Sequence, residues 1–108
     1  ILYSVCLFHS VDDLSQHVEA VQACVQQEAW EDCDAAYAQF LANWDRRSKW
    51  LTLFLQHSDM DLIEDNIYQL GEYIRAQDKE QAGAYAAVIH RQLSRMASNE
   101  RFTLQNLL

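Results

Sequence analysis

No proline interrupts this chain, and only two of its 108 residues are glycine. Helices therefore meet few breakers, and a glycine-rich phosphate-binding loop is excluded. Basic residues are scarce as well: eight lysines and arginines stand against 16 carboxylates, a formal charge of −8. A sequence-independent nucleic-acid binder needs a basic face to displace counterions, and this chain lacks the charge for one. Docking on an anionic lipid surface through charge is disfavoured for the same reason. Nor is there an apolar run of the roughly 20 residues that a spanning helix requires. Cysteine is limited to Cys6, Cys24 and Cys33, an odd number that cannot complete a disulfide framework. Cys24 and Cys33 flank the first expected turn and can face each other, with small buried thiols the favoured reading. Cys-x2-Cys and Gly-x-Ser-x-Gly motifs are missing too.

Half of the residues are hydrophobic, enough to rule out a disordered tail and to build one domain's core. Leu7, Val11, Leu14, Val18, Val21 and Val25 recur at alternating intervals of four and three, which predicts a first helix over about 8–27. The apolar opening from Ile1 to Phe8 reads either as the first turns of that helix or as the end of a membrane anchor. Trp30, Cys33, Tyr37, Phe40, Trp44, Leu51 and Phe54 mark a second helix over 30–56. Glu31, Asp32 and Asp34 crowd its start, where carboxylates complement the helix dipole. Arg47 occupies a stripe position, so its stem is expected to lie over Trp44 or Trp50 with the guanidinium at the surface.

Ser58 with Asp61 reads as a capping box ahead of a third helix over 59–76, carried by Met60, Ile63, Ile67, Leu70 and Ile74. Asp78 with Gln81 caps a fourth over 79–97, carried by Ala82, Tyr85, Ile89, Leu93 and Met96. Gly71 and Gly83 lie six residues either side of Gln77, at similar heights of an antiparallel hairpin. A close approach of the third and fourth helices there is the expected reason for both. After Ser98-Asn99, a short turn over 103–107 begins at Thr103. Phe102, Leu104, Leu107 and Leu108 are expected to dock in a groove of the bundle. The fold expected for residues 1–108 is one all-α domain: an antiparallel four-helix bundle of two helical hairpins with a short C-terminal helical turn.

His57, Asp59, Asp61, Glu64 and Asp65 form the densest group of acid–base or ligand side chains. Asp61, Glu64 and Asp65 share a helical sector, as ligands to a divalent ion would. Yet carboxylates at a helix start and a histidine at a helix end also follow from dipole complementarity alone. No His-x3-His or Glu-x2-His pair occurs, so no cofactor is expected; His57, Asp59, Asp61 and Glu64 are the candidates if a metal is held. His9 and His17 are too far apart to share one ion, and His90 stands alone beside Arg91. The aromatic second helix reads first as core. The sharper alternative is a partner groove or ligand pocket, with Trp44, Trp50, Phe54, His57, Asp61 and Tyr73 as its candidates.

From Trp30 onward, about three quarters of the chain resembles a bacterial family catalogued as domain of unknown function 4363. The resemblance lies in Trp30 before an acidic, alanine-rich helix start, then Trp44, Trp50 and His57-x3-Asp61. Ile63, Leu70, Tyr73 and the ending Leu104-x-Asn106-Leu107-Leu108 complete it. Members look like short proteins with one N-terminal hydrophobic anchor and a helical region. The resemblance implies that Ile1 to Phe8 ends or follows such an anchor. It further implies a single-pass protein of the bacterial membrane with this domain outside the cytoplasm. It carries no catalytic residues. The expected role is a membrane-tethered, non-enzymatic helical module that binds another protein or itself. The rival is a divalent-metal or small-ligand domain built on His57, Asp59, Asp61 and Glu64.

Overall fold

Four helices follow one another: α1 (Leu2–Gln26), α2 (Trp30–Leu51), α3 (His57–Arg75) and α4 (Lys79–Leu107). The computed structural model describes the backbone of residues 2–53 and 55–107 and the side chains of residues 5–53 and 55–98. Short connections make successive helices antiparallel, and the four close into a bundle of 46 × 22 × 20 Å. Among the described residues, each predicted stripe lies on the buried face of its helix, with Trp30, Tyr37 and Tyr85 half-buried. In α1, Leu7, Val11, Leu14, Val18, Val21 and Val25 are all buried, and Phe40, Trp44, Ile63, Ile67, Leu70, Ile89 and Leu93 join them. The contacts are unequal. α1 lies most extensively along α4, then along α2; α3 lies on α4, and of these four neighbouring pairs the α2–α3 seam is the thinnest.

Both hairpin ends use the same backbone device. At the end of α1, the amide of Glu28 donates to Val25 O (3.0 Å) and that of Ala29 to Cys24 O (3.1 Å). At the end of α3, Gln77 donates to Ile74 O (3.0 Å) and Asp78 to Tyr73 O (3.0 Å). These are paired Schellman closures, which require one residue in the left-handed region. Glu28 (φ 55°) and Gln77 (φ 56°) take it, although neither is glycine. Lys79 Nζ also approaches Glu28 Oε1 at 3.7 Å, joining the two turns at one end of the bundle.

Several expected boundaries move. α1 begins at Leu2 rather than near residue 8, because Leu7 and the following stripe continue into the core. α2 ends at Leu51, not at 56. There Leu53 N–H donates to Trp50 O in a tightened last turn, and the Thr52 hydroxyl donates to Lys49 O at 2.8 Å. His57 consequently opens α3 instead of closing α2. The capping box expected of Ser58 and Asp61 is not made: Gln56, with extended backbone (φ −71°, ψ 142°), occupies the cap without a side-chain bond. The cap expected of Asp78 is made, with Gln81 N–H donating to Asp78 Oδ1 at 3.1 Å. No separate C-terminal turn exists, since α4 runs unbroken through Ser98-Asn99 and Thr103 to Leu107. Serine and asparagine each cost a helix only about half a kcal/mol, too little to end one. The docking expected of Phe102, Leu104, Leu107 and Leu108 falls outside the described side chains.

The glycines do not mark a contact between α3 and α4. Gly83 faces α1, where an added Cβ would stand 4.0 Å from Val25 Cγ1. Gly71 faces α2, where an added Cβ would stand 2.5 Å from Tyr37 Oη. Of the two, only Gly71 answers a steric need.

Candidate functional site

Helix α2 makes polar contacts on both of its flanks, toward α1 and toward α3. Toward α1, Asn43 is almost wholly buried, at 4 % exposure, yet fully used. Its Nδ2 donates to Asp13 Oδ2 at 2.7 Å, while its Oδ1 accepts from Arg46 Nη2 (2.6 Å) and Arg47 Nε (3.1 Å). Arg47 spans the seam, donating through Nη1 to Ser10 Oγ (2.9 Å) and through Nη2 to Asp13 Oδ2 (3.1 Å). His17 Nε2 lies 3.8 Å from the same carboxylate. The Asn43 hydrogen bond, with the Arg47 and His17 charges, holds the Asp13 carboxyl below its usual range against the opposing effect of burial. Arg47 is thus no lone surface cation above a tryptophan. It faces α1 because it follows Asn43 by one helical turn.

Toward α3, two aromatic side chains of α2 reach across. Tyr37 Oη donates to the main-chain oxygen of Ile67 at 2.9 Å, reaching it over the bare Cα of Gly71. Burial pushes the Tyr37 phenol up to about 12, with Tyr68 and Glu72 adding to the effect. Trp44 is buried, and its Nε1 lies 3.4 Å from Glu64 Oε2. Between these helices a depression of about 340 Å³ is lined by Asp34, Tyr37, Leu41, Tyr68, Glu72 and Arg75, among others. Tyr68 is 53 % exposed there. Arg75 pairs with Glu72 at 3.1 Å on its rim. Apolar and aromatic surface edged with charge is a chemistry suited to holding a side chain or a helix of another protein.

The residues expected to form a pocket do not gather into one. Trp44 is core, and half-buried Trp50 packs against the core. Tyr73 turns to α4 and stacks on Tyr85, ring centroids 5.4 Å apart. His57 and Asp61 are exposed at the start of α3, and Phe54 lies outside the described residues. Asp59 edges a shallow depression of about 120 Å³ with Leu62, Gln92, Arg95 and Met96, while Glu64 faces Trp44. Among the described residues no three histidine, cysteine, aspartate or glutamate side chains converge as a metal site would. His90 reaches Glu19 of α1 at 3.1 Å. Sequence reasoning missed Tyr68 and the Ser10–Asp13–Asn43–Arg47 set. A usable signal was present: Ser10, Asp13 and His17 repeat at three and four beside the apolar stripe of α1, as Asn43 and Arg47 do on α2.

A family model described as Domain of unknown function (DUF4363) matches residues 2–107. The chain belongs to the DUF4363 family. The match takes in α1 as well as the region from Trp30 onward, so both seams of α2 lie within the DUF4363 domain. No curated protein and no solved structure matches the chain. Among the described residues, no helix is long and apolar enough to cross a membrane.

Proposed function

We propose that this DUF4363 domain is a non-enzymatic interaction module that receives another protein along its α2–α3 face. One observation carries the reading: the thinnest seam of the bundle is also where Tyr68 stands exposed beside Tyr37 and Leu41 in a charged-rimmed depression. A large aromatic side chain held on two rigid helices can anchor an interface at low entropic cost. Membership of a family whose members look like short proteins with an N-terminal hydrophobic anchor supports tethering to the outer side of a bacterial membrane by an N-terminal segment. A photoreactive residue at position 68, against one at Gln16 on the exposed side of α1, tests the face in cells. Adducts specific to position 68 are expected. Equal or absent adducts at the two positions end the proposal. A melting-temperature rise with divalent cations that disappears in His57→Ala/Asp61→Ala would instead favour ion binding at the start of α3.

A further inference from the structure

The turn between α1 and α2 brings two thiols together. Cys24 lies in the last turns of α1 and Cys33 in the first of α2, and Ala29 ties their backbones. Its amide donates to Cys24 O (3.1 Å), and its carbonyl accepts from Cys33 N–H (2.9 Å). Both side chains pack on the same core, with the Cys24 thiol among the groups that act on that of Cys33. They differ in access: Cys24 is half-buried, whereas Cys33 has no exposed surface. Neither is bonded in this structure. The third thiol, Cys6, is exposed and stands eighteen helical positions before Cys24 on α1, so it does not compete within the chain.

From this juxtaposition we infer that Cys24 and Cys33 are a dithiol site that closes reversibly into a disulfide, clipping α1 to α2 at their turn. The oxidant is a disulfide, either a small molecule or an oxidised dithiol protein. The Cys24 thiolate attacks one of its sulfurs and expels a thiolate, leaving a mixed disulfide on Cys24. Cys33 then loses its proton and attacks the Cys24 sulfur, expelling the second thiolate. Two electrons pass to the oxidant, and two protons end on the released thiols. Cys24 goes first because it is the sulfur a reagent can reach. Burial pushes the Cys33 thiol up to about 11, with Cys24, Asp34 and Asp32 adding to the effect, so Cys33 suits the resolving role and not that of first nucleophile.

The test uses the full chain, beside a Cys6→Ser version, reduced and then treated with glutathione disulfide. Non-reducing peptide mapping after alkylation is expected to find a peptide linked through Cys24 and Cys33, lighter by two hydrogens. The melting temperature is expected to rise by roughly 5–10 °C, the size anticipated for so short a loop, and to fall back with dithiothreitol. Cys24→Ala, at the half-buried position, must abolish both changes while remaining folded. A chain that stops as the Cys24 mixed disulfide overturns the inference. So does one whose Cys33 stays alkylatable once unfolded, or whose links run through Cys6 or between chains.

Discussion

The two flanks of α2 solve the same problem differently. Its α1 flank is closed by side chains meeting side chains: Asn43 and Arg47 against Ser10 and Asp13, with every polar atom of Asn43 engaged. Its α3 flank reaches a backbone acceptor, Ile67 O, that is approachable only because Gly71 has no Cβ. The first device is charge-assisted and seals its seam. The second spends fewer contacts and leaves a depression beside Tyr68. A helix pair locked by a polar network has no surface to lend, whereas one bridged only by Tyr37 and Trp44 does.

The largest effect should come from the sealed flank. Asn43→Ala strands parts of Asp13, Arg46 and Arg47, and is expected to cost about 2–3 kcal/mol in urea denaturation. A loss below about 0.5 kcal/mol would mean that the network contributes no closure. On the open flank, Gly71→Ala forces Tyr37 aside and off Ile67, for an expected loss of about 2 kcal/mol. Tyr37→Phe alone should lose about 1 kcal/mol. The double mutant should then cost less than the sum of the two, and strict additivity would show that Tyr37 and Gly71 do not meet.

Gly83 sharpens the contrast by reversing the sign. Its Cβ position has ordinary room against Val25, so Gly83→Ala should stabilise by roughly 0.5–1 kcal/mol through helix propensity, again read from urea midpoints. Destabilisation would show a tighter α1–α4 approach than 4.0 Å implies. The smallest effect is the pH dependence of Asp13. Its folded pKa is depressed, so its stabilising contribution is present above the unfolded value, about 3.9, and is lost as pH falls through the lower folded one. The midpoint difference between the natural chain and Asp13→Asn should hold steady above about pH 5 and close in stronger acid. A difference that widens in acid contradicts the Asn43–Arg47 arrangement.

Much of this fold was legible beforehand because each apolar stripe declares its own buried face. The cap at Asp78 was legible for the same local reason. The turns at Glu28 and Gln77 were placed from the stripes although their left-handed positions carry no glycine, whereas the end of α2 was missed, since the helix stops at Leu51–Thr52 without glycine or proline. The candidate site was hardly visible. Tyr68 lies on the polar side of its own helix and acquires meaning only from Tyr37, 31 positions earlier. His57 and Asp61 stood out as a sequence cluster, but helical geometry leaves both in solvent.

Periodicity alone determined that there are four amphipathic helices and which apolar face each one buries, because a repeat of 3.6 is written within each segment. The tertiary structure decided which flanks meet: that Arg47 answers Asp13 and not a tryptophan, that Gly71 serves Tyr37, and that α2 and α3 stay partly apart. Pairing is settled by the summed fit of side chains distant in the chain, and no single helix contains that sum.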